Sequence, residues 1–220
     1  MIEFQLKRRG ILFLVSAPSG GGKSTVLRSI LANDSSLSYA ISATTRKRRP
    51  DEQDGVHYHF KTLEEFQSLI DEGAFIEYAR VHGNYYGTLY QEVQNRLNEE
   101  MDTIIDADVQ GSLAIKERMP DTVTIFILPP SIATLEKRLR SRGTDAEDQL
   151  TLRLTNAREE VRYASLYDYV IVNSDLNKTI TGIQQILEAE RRKAHRMVVT
   201  DALGEIEFIS RDRPLSKSTS

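Results

Sequence analysis

Four apolar runs without polar alternation, residues 11–17, 103–108, 123–128 and 169–173, divide the 220-residue chain. Each has strand length and is rich in β-branched residues. The missing alternation marks strands buried on both faces, as in a parallel sheet covered by helices. Between these runs, apolar residues recur at helical spacing over residues 23–32, 89–100, 131–140 and 177–195. Strands alternating with helices predict an α/β fold built on a doubly wound parallel sheet.

Two stretches break this rhythm. Residues 42–88 carry clustered arginines, several tyrosines, glycines at 55, 73, 83 and 87, and a short alternating run over 56–60. They predict a small mixed α/β insertion. Residues 138–163 are rich in Arg, Asp and Glu, break at Gly143 and resume as a helix near Ala146, a pattern that suits a mobile helical lid. The expected organisation is one domain of 1–220. Its core comprises 10–40, 93–130 and 165–197, the insertion 41–92, the lid 131–164 and a tail 198–220. In the tail, 198–200 and 205–209 predict a short hairpin, and 214–220 has a disordered composition.

Composition excludes more than it selects. With 29 Lys and Arg against 32 Asp and Glu, no global field draws the chain to nucleic acid or an anionic membrane, so any anion must be held by a local cluster. The absence of cysteine removes disulfides and thiolate metal sites and agrees with a reducing cytosol. Lys7-Arg8-Arg9 precedes an apolar run over 11–15 that is too short for a signal peptide core. No segment approaches the roughly 20 apolar residues of a membrane span. A cytoplasmic protein without nucleic-acid or membrane partners is expected. The four histidines have no metal-ligand spacing, and nothing in the sequence separates a monomer from a homo-oligomer.

The strongest chemical signal follows the first apolar run. Ala17-Pro18-Ser19-Gly20-Gly21-Gly22-Lys23-Ser24 matches the phosphate-loop fingerprint G-x-x-x-x-G-K-[ST] except for Ala17 at the first glycine. A strand enters it and a helix leaves it, as the mechanism requires. The glycines let backbone N–H groups converge on phosphate oxygens, and the helix adds its positive amino end. Lys23 would neutralise β- and γ-phosphates. Ser24 would ligate Mg²⁺, a hard cation that prefers oxygen. A GTP-binding switch would also need an Asn-Lys-x-Asp segment, and Asn177-Lys178-Thr179-Ile180 lacks the aspartate.

Further along, Ser42-Ala43-Thr44-Thr45-Arg46-Lys47-Arg48-Arg49-Pro50 is followed by Gly55, Tyr58 and Phe60, then by Gly83-Asn84-Tyr85-Tyr86-Gly87-Thr88. With the phosphate loop, D-x-D-x-Q-G at 106–111 and V-I-V-N at 170–173, the sequence resembles the guanylate kinases from about residue 11 to 191. The resemblance implies transfer of the γ-phosphoryl group of ATP to GMP, and to dGMP as a second acceptor, with Mg²⁺ as cofactor. The setting would be purine metabolism and GMP recycling. It implies that Arg46, Arg49, Tyr58 and Tyr86 hold the GMP phosphate and that Ser42, Glu77, Thr88 and Asp108 read guanine. It places ATP on residues 17–24 and Thr25, with Arg138 on its phosphates and Asn173 at adenine. Lys23, Arg46, Arg142 and Arg153 would act on the transferring group, and Mg²⁺ would sit on Ser24 and, through water, on Asp106. Arg48 and Asp51 depart from the family pattern, which has proline and glycine there.

Residue chemistry agrees with these roles. Guanine offers N1–H and N2–H₂ donors that suit carboxylates at 77 and 108, while hydroxyls at 42 and 88 can donate to O6 or N7. Adenine would leave a carboxylate unpaired and be rejected. Asp106 and Asp108, two apart at the end of an apolar run, are expected on one strand face at the sheet's carboxyl edge. A phosphopeptide-binding domain of this family type would need neither Lys23, Ser24 nor the lid arginines. A kinase for a ribose phosphate would not need the guanine-reading set.

Overall fold

The computed structural model describes residues 5–81, 83–141, 147–201 and 204–206. In chain order the elements begin with β1 (Gln5–Arg8), β2 (Leu12–Ser16), α1 (Lys23–Asn33), β3 (Leu37–Tyr39), β4 (Ala43–Thr44) and β5 (His59–Phe60). Next come α2 (Leu63–Asp71), β6 (Phe75–Val81), β7 (Asn84–Leu89), α3 (Tyr90–Asn98), β8 (Asp102–Asp106), α4 (Val109–Arg118) and β9 (Val123–Leu128). The chain continues through α5 (Ile132–Arg140), α6 (Glu147–Arg162), β10 (Tyr169–Val172), α7 (Leu176–Arg191), β11 (Met197–Asp201) and β12 (Gly204–Ile206).

The core sheet is parallel in every pair, with order β10-β9-β2-β8-β3. Alternate residues of its central strand serve opposite faces, as strand geometry demands. Phe13 and Val15 pack with Val26, Leu27 and Ile30 of α1 and Ile183 and Leu187 of α7. Leu12 and Leu14 pack with Val93 of α3 and Ile115 of α4. Both faces are therefore covered, which explains why the runs show no polar alternation. All four expected strands exist. The fifth, β3, has only three residues and carries no periodic signal, yet its register with β8 closes the sheet at that edge.

A second sheet, β5-β4-β7-β6, mostly antiparallel, stands where the mixed insertion was expected. It packs on α2 through Ala43, Phe66 and Phe75. Thr62 and Glu65 form a reciprocal capping box at the start of α2, which satisfies two otherwise unpaired helix N–H groups. In the expected lid region, α5 and α6 pack through Leu135, Leu139, Leu150 and Ala157. The tail hairpin is present as β11 and β12, paired at Thr200 and Glu205. Its unexpected partner is β1, which adds the amino-terminal strand to the same small sheet. Among the described residues no helix is long and apolar enough to cross a membrane.

Candidate active site

The loop between β2 and α1 turns on left-handed glycines, Gly20 at φ 84° and Gly22 at φ 96°. Gly22 is the first cap of α1. A Cβ there would collide with Nδ2 of Asn173, so glycine is favoured on both conformational and steric grounds. Asn173 is buried at 5 % exposure. Its Nδ2 donates to Gly21 O at 2.9 Å, and its Oδ1 accepts from Thr179 at 3.2 Å. The amide expected near adenine is thus engaged in bracing the loop. Arg138 adds contacts to the carbonyls of Gly21 and Asn173 at 3.3 and 3.2 Å.

From α6, Arg153 donates to Ser19 Oγ at 3.2 and 2.8 Å. Glu160 of the same helix accepts from the Ser19 N–H at 3.3 Å. Burial pushes the Glu160 carboxyl above its usual range, reinforced by the charge of Asp108. Ser24 and Thr25 are exposed at the amino end of α1. Arg142 lies outside the described residues.

Lys23 Nζ meets Asp106 Oδ2 at 2.9 Å and the Ala107 carbonyl at 3.4 Å. Tyr39 donates to the other Asp106 oxygen. Burial pushes the Asp106 carboxyl up, but Lys23 and the Tyr39 hydrogen bond outweigh it and hold the group below its ordinary value. Burial and the neighbouring Asp106 charge push the Tyr39 hydroxyl strongly upward, so it stays a donor. Asp106 and Ala107 also line a cavity of about 770 Å³ beyond the sheet's carboxyl edge, the usual ligand position in open α/β sheets.

Ser42, Tyr58, Glu77, Tyr86 and Asp108 all reach that cavity. Thr88 does not line it, but its hydroxyl donates to Glu77 Oε1 at 2.9 Å. Burial raises the Glu77 carboxyl above its usual range, and Asp108 adds repulsion, against the Thr88 hydrogen bond. The reading of Asp106 and Asp108 as neighbours on one strand face is corrected here. β8 ends at Asp106, and Asp108 has left the strand to cap α4, accepting from Gly111 N–H at 2.8 Å. A capping carboxylate satisfies an orphan helix donor, a contribution of about 1 kcal/mol. Its competing pull decides where the strand stops.

Arg46 is half-buried beside the cavity, its guanidinium 5.4 Å from the Tyr58 ring and paired with Glu52 at 2.6 Å. Hydrogen bonds from Arg46 and from the Arg49 N–H hold the Glu52 carboxyl at about 2. Arg49 contributes that N–H at 2.8 Å, while its side chain is exposed and does not line the cavity. Tyr39, Glu52 and Glu160 were not singled out from sequence. Tyr39 reaches the site only because β3 pairs with β8, Glu52 sits beside a departure from the family pattern, and Glu160 resembles any exposed helix carboxylate.

A guanylate kinase family model matches residues 9–190. Guanylate kinase from Rhizobium etli is 45 % identical over 193 residues, 87 % of this chain and 88 % of that protein. The Bartonella henselae guanylate kinase is 49 % identical over 191 residues, 86 % of each. The crystal structure of guanylate kinase from Anaplasma phagocytophilum superposes with a TM-score of 0.70 at 34 % identity, covering 88 % of this chain and 92 % of that one. A glycine-rich loop whose lysine pairs with a carboxylate of the cavity wall is thus joined to close relatives along most of the chain, which belongs to the guanylate kinase family and phosphorylates GMP at the expense of ATP.

Proposed function

We propose that the loop over residues 17–25 holds the ATP phosphates, that the cavity beyond β8 holds GMP, and that the two substrates meet at the Lys23–Asp106 pair. That pair carries the reading, because one residue belongs to the loop and the other to the cavity wall. Glu77 and Asp108 accept the guanine N1–H and N2–H₂ donors, with Ser42 at the opposite edge and Thr88 orienting Glu77. Tyr58, Tyr86 and Arg46 take the GMP phosphate, with Arg49 joining from its exposed position. dGMP is a second acceptor, because none of these contacts needs the 2′-hydroxyl.

A GMP phosphate oxygen attacks the γ-phosphorus in line, the bond to the β-phosphate oxygen breaks, and ADP and GDP leave. No general base is needed, since a phosphomonoester's second pKa is near 6. Lys23, Arg138 and Arg153 neutralise charge as it spreads over the transferring group. Closure of α5 and α6 over the loop excludes water.

No group of three or more metal-ligating side chains occurs among the described residues. The exposed Ser24 hydroxyl and an Asp106 carboxylate held ionised do fit a Mg²⁺ ion that arrives with ATP and keeps most of its waters. When bound, the ion neutralises the β- and γ-phosphate oxygens.

Coupled ADP production with GMP, dGMP, AMP, UMP and CMP, with and without EDTA, tests this reading. The expected order is GMP above dGMP, far above the rest, with EDTA abolishing turnover. AMP turnover equal to that with GMP would sink the guanine assignment.

A further inference from the structure

A second cavity of about 720 Å³ lies at the opposite, amino edge of the core sheet, against the starts of β2 and β9. It is nearly as large as the acceptor cavity and within the range of small-molecule sites. Its cations are Lys7, Arg8, Arg9, Arg118 and Arg196. Two of these are neutralised from outside it, Arg8 by the buried Asp102 and Arg196 by the buried Glu190. The other three keep their charge. Lys7 and Arg9 are exposed, with no side-chain hydrogen bond or ion pair to a described residue. Arg118 donates to neutral carbonyls.

Two polar atoms of residues in this wall, Thr122 Oγ1 and Arg196 Nε, are buried without a hydrogen-bond partner among the described residues. Native interiors rarely leave such groups unpaired. The half-exposed ring of Tyr90 offers a stacking face, and Glu100 and Asp121 offer acceptors for base N–H groups. Uncompensated cations, an aromatic face and carboxylates together suit a phosphorylated nucleoside.

Arg118 also lines the acceptor cavity. Its Nη1 donates to the carbonyls of Phe75 and, at 3.2 Å, Ile76, immediately before Glu77 on β6. The helix it ends, α4, begins at the Asp108 cap. One guanidinium thus fastens the two carboxylate-bearing elements from behind. We propose that the amino-edge cavity is an effector site for a nucleoside di- or triphosphate, and that its occupancy is transmitted to the GMP site through Arg118. An anion that draws Arg118 from the β6 carbonyls loosens the Glu77 strand and raises the KM for GMP.

The test uses the full chain with its catalytic site filled by a bisubstrate analogue, adenosine and guanosine joined through five phosphates. GTP is then titrated calorimetrically. A further equivalent of GTP binds, weaker than to the free chain by the same factor by which GTP weakens GMP binding, and Lys7→Ala/Arg9→Ala weakens it about tenfold more, as loss of roughly 1.4 kcal/mol of charge-assisted contact requires. The double variant keeps wild-type kcat with ATP and GMP, since neither side chain approaches the catalytic site. No heat beyond that of the analogue, or undiminished binding in the double variant, overturns the site. Inorganic triphosphate binding as tightly as GTP overturns the nucleotide assignment. For the coupling, the GTP-dependent rise in KM for GMP is larger in wild type than in the double variant or in Arg118→Gln, whose second-site binding is weakened but retained through Lys7 and Arg9. Equal inhibition in all three proteins overturns the coupling.

Discussion

The phosphate loop and the acceptor cavity are built in opposite ways. The loop uses consecutive residues between one strand and one helix, and its braces, Asn173, Arg138 and Arg153, hold backbone or the Ser19 hydroxyl. The cavity gathers Tyr39, Ser42, Tyr58, Glu77, Tyr86 and Asp108 from separate elements and the turns beside them. Phosphate is held largely by N–H groups, which every residue has, so a short glycine-rich loop suffices. A base is distinguished only by side-chain donors and acceptors around its edge. That arrangement has no local sequence solution.

The comparison is broken most sharply at Lys23, where the two regions touch. Lys23→Ala should lower kcat by about 10²–10³ or more while GMP binding, followed by calorimetry, stays near wild type. Loss of GMP binding instead would place the lysine in the acceptor half.

Glu77→Gln should reduce kcat/KM for GMP by about 10–10²-fold, with the KM for ATP unchanged. In the wild type, the KM for GMP should rise as pH falls through the elevated Glu77 pKa, because the protonated carboxyl no longer accepts both donors. The Gln variant should lack that limb. A carboxylate whose folded pKa is raised loses stability for the protein as pH rises through that value. Glu77→Gln should therefore melt higher at neutral pH, and the advantage should vanish in acid below the unfolded carboxylate pKa. A variant that melts lower at neutral pH would contradict the burial argument.

The smallest effect is expected at the brace. Asn173→Ala should raise the KM for ATP about tenfold and leave the KM for GMP alone, since the Gly21 carbonyl loses its buried partner. A matching rise for GMP would mean that Asn173 supports both halves.

Much of this was legible before any fold was known. The phosphate loop is a local pattern, and the unalternated apolar runs foretold a covered parallel sheet. The core strand ends shifted by one or two residues. The exception with consequences was Asp108, where helix capping won over strand continuation. Tyr39 and Glu160 stayed hidden because neither their type nor their spacing is unusual. Each gains a role only from what the fold sets beside it, Asp106 for one and the Ser19 N–H for the other.

The sequence by itself determined the chemistry available: a glycine-rich loop with one lysine, a set of arginines and tyrosines, and the carboxylates that the proposal sets at a guanine edge. Tertiary structure decided which of these groups share a space. It set Lys23 against Asp106, turned the Asn173 amide onto the loop, and ran Arg118 between two cavities at opposite sheet edges. The reason is physical. Backbone geometry follows from a few neighbouring residues, whereas a meeting of side chains far apart in sequence depends on how the whole chain buries its apolar faces.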